Sequence, residues 1–275
     1  MPATHELRDA LGTPHAPAAD EPRIVSLVPS LTELLCDLGL AANLVGRSGF
    51  CIHPRETVRR IPKMGGTKDA DIGKIRAAAP THLVVNVDEN RREQVEALAQ
   101  YVPHVVVTHP NTPEDNLELF RLFGGIFRRE ARADALATDF RAAREELRRA
   151  TGRLPRERVL YLIWKDPWMT VSRATYVSAM LAAAGWDTLP ESSEARYPEV
   201  DAVSQRLTFV ERVLLATEPY RFTAQHLAAA AARFGAPARL IDGEMVSWYG
   251  SRAAAGLRYL SGLRSGGARA SIAGP

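Results

Sequence analysis

The chain has 275 residues, 35 basic and 32 acidic side chains, and a formal net charge of +3. With 46% hydrophobic and 24% charged residues it has the makeup of a folded globular protein, which excludes wholesale disorder. No stretch approaches the ~20 apolar residues of a membrane span, two cysteines cannot build a disulfide framework, and the arginines are too scattered to suggest a nucleic-acid partner.

Residues 1–23 contain no basic start followed by an apolar run and a cleavage site, so a secretory signal is not expected and the location read from the sequence is the cytoplasm. A start codon placed too late would restore a periplasmic location. Ile24-Val-Ser-Leu-Val28 reads as a short strand. Ser30-Leu-Thr-Glu33 then reads as a capping box opening a helix that Gly39 stops. Leu44-Val45-Gly46 leads to Phe50-Cys51-Ile52-His53. A helix from Asp71 to Ala79, a strand at Leu83–Val87, a helix to about Gln100 and a strand at Val105–Val107 follow. Continuous apolar strands alternating with helices indicate parallel sheets covered on both faces.

Residues 114 to about 150 break the alternation. Glu114 to Phe127 reads as one helix. Ala133, Leu136, Ala137, Phe140, Ala143 and Leu147 mark a second, about 30 Å long at 1.5 Å per residue. Alternation restarts with strands at Val159–Ile163, Val213–Ala216 and Arg239–Ile241 and helices at Tyr176–Ala184, His226–Phe234 and Ala253–Leu263. The expected fold is α/β, with two Rossmann-like lobes of parallel sheet joined by one long backbone helix. The lobes are placed at 6–128 and 153–263, the linking helix at 129–152, and a frayed Gly/Ala/Ser-rich tail at 264–275. A continuous helix resists bending, so a cleft between such lobes should open only slightly.

In open α/β sheets, ligands bind outside the carboxyl ends of the strands. The candidate ligand-binding residues are therefore Ser30, Thr32, Phe50, Cys51, His53, Asp88, Glu89 and Asn90 in the first lobe. In the second they are Trp164, Trp168, Glu218, Tyr220, Trp248 and Tyr249. Aromatic side chains offer broad, stiff faces to a flat macrocycle, although Trp164 and Trp168 could instead pack the edge of a core. Trp248-Tyr249 lacks core periodicity and is expected in an exposed loop. Asp88-Glu89-Asn90 could recognise a polar ligand edge or favour the start of the next helix. Cys51 and His53, alternate residues of an extended segment, could share a metal such as zinc, cobalt or iron. Alternatively, Cys51 is a small buried hydrophobe and His53 a loop histidine. Gly65-Gly-Thr-Lys68 lacks the spacing of a phosphate-binding loop, and no catalytic triad or zinc-protease motif is present.

Arg23-Ile-Val-Ser-Leu-Val-Pro-Ser-Leu-Thr-Glu33, Ile61-Pro-Lys-Met-Gly-Gly-Thr-Lys68, Ala79-Pro-Thr-His-Leu-Val-Val85 and Leu214-Leu-Ala-Thr-Glu-Pro-Tyr220 carry a resemblance. With them the chain, over residues 6–263, resembles the helical-backbone metal receptors. These are the class III substrate-binding proteins for cobalamin, iron–siderophore and haem, and the likeness is greatest to the cobalamin-binding branch. The resemblance implies a non-catalytic protein that holds cobalamin or another metal chelate in the inter-lobe cleft, and an ABC permease as partner. Transporter-coupled members dock through one exposed Glu per lobe. The corresponding positions here fall near Gly73 and Ser247, neither of them acidic, with Asp71 and Glu244 close by as substitutes, and this departure points away from routine delivery to an ABC importer. Two alternatives remain open: an intracellular metal-handling factor or enzyme using Cys51 and His53, and a periplasmic importer component.

Overall fold

A computed structural model describes residues 6–266. The tail expected from residue 264 lies, from 267 onward, outside the described residues. The chain packs as two compact units.

Unit 1 takes in residues up to 110, then 114–139 and 249–252. It opens with a hairpin of β1 (Leu7–Arg8) and β2 (Pro14–His15). The buried Asp9 carboxylate organises the hairpin, accepting the backbone N–H groups of Leu11, Thr13 and Val107 with His15 Nε2 at 3.3 Å. There follow β3 (Ile24–Ser26), α1 (Pro29–Asp37), β4 (Leu44–Arg47), α2 (Arg55–Val58), α3 (Ile72–Ala77), β5 (His82–Asn86), α4 (Arg92–Ala99), β6 (His104–Thr108) and α5 (Asp115–Phe127). The four longer strands form a parallel sheet in the order β4-β3-β5-β6. All five β5 residues are buried, as a strand covered on both faces requires. Val25, Leu27, Leu83 and Val85 pack with Ile75 of α3 and Leu98 of α4 in the core.

The capping box expected at Ser30 is not formed. Pro29 occupies the first turn of α1, where its missing N–H costs nothing, and Val28 precedes it without a side-chain cap bond. Thr32 donates back to the Val28 carbonyl, and Glu33 pairs instead with Arg252.

α6 (Glu130–Thr151) is the long helix that the spacing predicts, with Ala133, Ala137, Phe140, Ala143 and Leu147 buried. It is not a module of its own. Its residues up to Asp139 pack with unit 1 and those from Phe140 with unit 2.

Unit 2 contains β7 (Glu157–Trp164), β8 (Met169–Thr170), α7 (Tyr176–Ala183), β9 (Trp186–Thr188), β10 (Arg212–Ala216), α8 (Leu227–Phe234), β11 (Ala238–Ile241), α9 (Gly243–Ser247) and α10 (Arg252–Arg264), whose first residue packs with unit 1. β11, β10, β7 and β9 are parallel, whereas the short β8 folds back antiparallel on β7. Leu160, Leu162, Val213 and Leu215 pack with Phe222 and Ala230 in this unit's core. Residue 264, where fraying was expected to begin, is anchored. The Arg264 guanidinium donates to Glu157, Ala184 O and Pro155 O at 2.5–3.0 Å.

Candidate ligand-binding site

The two sheets present their carboxyl edges in different chemistry. In unit 1 the loop after β3 is internal. Ser30 and Thr32 are buried, and the Thr32 hydroxyl lies 2.8 Å from Ser26 Oγ and 3.1 Å from Cys51 Sγ. After β4 the chain turns at Gly49-Phe50, with Cys51 N donating back to Ser48 O at 3.3 Å, where a strand-like alternation of 51 and 53 was expected. Phe50 and Ile52 point out, 63% and 49% exposed, while Cys51 points in at 1%. Cys51 Sγ also lies 3.3 Å from Ser48 Oγ. Burial pushes its thiol pKa up, and the bonds from Ser48 and Thr32 pull in the other direction. The sulfur thus has protein partners, and His53 is half-buried. Among the described residues, no group of three or more His, Cys, Asp or Glu could hold a metal ion. A cavity of ≈ 450 Å³ opens beside Phe50, between Gly65, Gly66 and the side chains of Lys63, Asp69 and Lys74.

The turn after β5 is a built polar structure. Asn86 Oδ1 accepts from Asp88 N at 2.8 Å, and Asn90 Oδ1 accepts from Asn86 N at 2.8 Å. Asn90 Nδ2 and Lys68 Nζ tie the turn to the 65–68 segment through Thr67 O and Asp88 O. None of Asp88, Glu89 and Asn90 caps a helix. α4 begins later, at Arg92, with no side-chain cap at Arg91. The Asp88 carboxylate stands 3.6 Å from His109 Nε2 at the end of β6, both groups about three-quarters covered. Glu89 Oε1 accepts a 2.6 Å hydrogen bond from the Tyr249 phenol.

In unit 2 the edge is ring-lined. Trp164 closes β7, 41% exposed, and meets the half-buried Tyr220 edge-on at 5.4 Å. Tyr220 leans on Phe222 at 4.7 Å, Phe222 stacks on Trp168, and Trp168 meets Phe234 edge-on. Trp168 therefore packs against the core, whereas Trp164 presents a face outward. The Glu218 carboxyl accepts hydrogen bonds from Ser247 Oγ at 3.0 Å and from the Trp248 side chain. Burial raises its pKa above the ordinary carboxylate value, more than those two bonds lower it.

The exposed loop expected at Trp248-Tyr249 is absent. Asp242 caps α9 through Met245 N, which turns the chain inward and leaves Trp248 and Tyr249 only 7% and 6% exposed. Two residues at these edges, Phe222 and Lys68, escaped sequence reasoning, and a third, His109, is a strand-end residue that reads from the sequence as structural or peripheral. Phe222 supports Tyr220 and Trp168, and its place two residues past Tyr220, in the same turn, was the available signal. Lys68 and His109 are brought to the β5 turn only by tertiary packing.

Residues 24–203 match the family model described as periplasmic binding protein. The vitamin B12-binding protein of Vibrio vulnificus is 24% identical over 215 residues, 76% of this chain and 73% of its own length. The vitamin B12-binding protein of Pectobacterium atrosepticum is 24% identical over 65% of each chain. Among solved structures, the periplasmic vitamin B12 binding protein of Vibrio cholerae superposes with a TM-score of 0.75 at 16% identity, over 88% of this chain and 96% of that one. The periplasmic heme-binding protein of Roseiflexus sp. RS-1 gives 0.73 at 22% identity, over 90% and 99%. These structures share the two-unit α/β fold. Among the described residues no helix is long and apolar enough to cross a membrane.

Proposed function

The chain belongs to the periplasmic binding protein family, and from that premise we propose that it binds a flat metal chelate, cobalamin or a haem-like macrocycle, without transforming it. The observation that carries this reading is the ring platform of unit 2. The exposed Trp164 is held edge-on by Tyr220, with Phe222 and Trp168 stacked behind it. Such an array supplies wide apolar contact with little side-chain freedom to lose. Taken by itself, unit 1 carries an exposed ring, Phe50, and a polar pair, Asp88–His109, of the chemistry that amide or carboxylate groups meet. The curated relatives' names favour vitamin B12; the fold neighbours include heme-binding proteins as well.

Metal handling through Cys51 and His53 is not part of this reading, because the thiol already has Thr32 and Ser48 as partners. The family's description supports a periplasmic location over the cytoplasmic one read from the sequence, and cell fractionation decides between them. A permease partner follows from the family resemblance. Docking through an acid at Gly73 would need Asp71 as its substitute, and Asp71 already caps α3 and pairs with Lys74.

The test is titration of the purified protein with cyanocobalamin, cobinamide and haemin, followed by visible absorbance and calorimetry. Micromolar or tighter binding of one of them is expected. Absence of binding to all three removes the proposal.

A further inference from the structure

The chain returns to unit 1 late, as residues 249–252, and this short segment is fixed at several points. Gly250 N donates to the Asn116 side-chain oxygen at 2.6 Å, and the Arg252 guanidinium grips Glu33 of α1 at 2.6 and 2.8 Å, both groups largely buried. Gly250 has a φ of +85°, and a Cβ there would stand 3.3 Å from Leu34 Cβ, so glycine lets the segment lie close on α1. These anchors deliver the Tyr249 phenol to one place. There it donates to Glu89 Oε1 at 2.6 Å, while the hydroxyls of Ser30 and Thr108 also face it. One phenol oxygen thereby gathers groups from the first turn of α1, the turn after β5 and the end of β6.

We infer that Tyr249 is a positioning residue for ligand binding. It fixes the turn at 87–90 through Glu89, and Glu89 serves as its acceptor in place of touching the ligand. This rests on the binding reading above and deepens it, because the turn that Tyr249 fixes carries the Asp88–His109 pair of that reading. A hydrogen bond to a carboxylate is among the stronger neutral-to-charged contacts. Its loss should loosen the turn while leaving the anchors at Asn116 and Glu33 in place.

The experiment compares wild type, Tyr249→Phe, Glu89→Ala, Glu89→Gln and the double variant Tyr249→Phe/Glu89→Ala. Affinity for cyanocobalamin and haemin is read by titration, and amide hydrogen exchange across 86–91 is read without ligand. Tyr249→Phe and Glu89→Ala should each weaken binding about tenfold. The double variant should be no weaker than the worse single one, as a shared contact requires. Glu89→Gln, which keeps an acceptor oxygen, should restore most of the affinity, and exchange in the turn should quicken in Tyr249→Phe. Additive losses would mean that Glu89 contacts the ligand directly, and unchanged affinity or unchanged exchange in Tyr249→Phe would mean that the bond positions nothing. Either result overturns the inference while the binding reading stands. Failure of the wild type to bind any of the chelates removes both.

Discussion

The carboxyl edges of the two sheets solve different problems. That of unit 1 is a polar assembly cross-linked by side chains, in which Asn86, Asn90, Lys68, Glu89 and Tyr249 hold one another in place. That of unit 2 is an aromatic stack whose outermost ring is open to solvent. A polar edge fixed by hydrogen bonds gives direction and selectivity, since an ill-fitting partner leaves groups unpaired. A ring platform gives affinity for any flat apolar face and discriminates weakly. Chemistry of the first kind suits selective recognition, and chemistry of the second suits broad apolar contact.

The largest expected effect separates the inner rings from the outer one. Trp168 stacks on Phe222 and meets Phe234 edge-on against the unit 2 core, so Trp168→Ala should destabilise the fold by about 3–5 kcal/mol. Chemical denaturation measures this, and a loss below about 1 kcal/mol would make the stack ornamental.

Next comes a control far from either carboxyl edge. His82, at the amino end of the unit 1 sheet, stacks on His104 at 4.8 Å, and its pKa is lowered from 6.5 to about 4, first by burial and then by the charges of His104 and His15. The folded state resists protonating this ring, so the stability it contributes is complete above pH 6.5 and is lost as pH falls from 6.5 toward 4, up to about 3 kcal/mol. His82→Phe should flatten that part of the stability profile, and an unchanged slope between pH 4 and 6.5 would assign it to other groups.

A smaller effect should fall on binding alone. Trp164→Ala combined with Tyr220→Ala should weaken chelate binding by roughly 30-fold, about 2 kcal/mol. Trp164 is already substantially exposed, so its share of the stability change should be small. Equal binding by the variant would move the ligand away from unit 2's rings.

The smallest effect is expected at Cys51. Cys51→Ser keeps a hydrogen-bonding atom beside Thr32 and Ser48 and should change chelate affinity less than twofold. Metal analysis of the purified protein before and after the change checks it. Stoichiometric metal lost in the variant would revive a metal role for Cys51 and His53.

The sequence announces the interior strands and the long helix because their signals are local. β5 and β10 are built on the apolar runs Leu83–Val85 and Val213–Ala216, and α6 repeats small and aromatic residues on one face. The two- and three-residue strands β8 and β9 are too short for a period to register, and the β1–β2 hairpin depends on Asp9 reaching Val107, 98 positions away. The candidate site divides in the same way. Its strand-end positions follow from topology, so Phe50, Asp88, Trp164 and Tyr220 were found at the edges. The inward turn of Trp248 and Tyr249 was not, because it depends on Asp242 capping a five-residue helix and on the pairing of Glu33 with Arg252, 219 positions apart. Pairings at such separations leave no periodic trace in a single chain.

The decisive experiment is a visible-absorbance titration of cyanocobalamin and haemin with the wild-type protein beside the Trp164→Ala/Tyr220→Ala variant. A saturable spectral shift at micromolar protein or below, displaced to much higher protein in the variant, is the predicted result. No shift with either chelate, or one that the variant reproduces unchanged, would contradict the assignment of the unit 2 rings as the platform that holds the ligand.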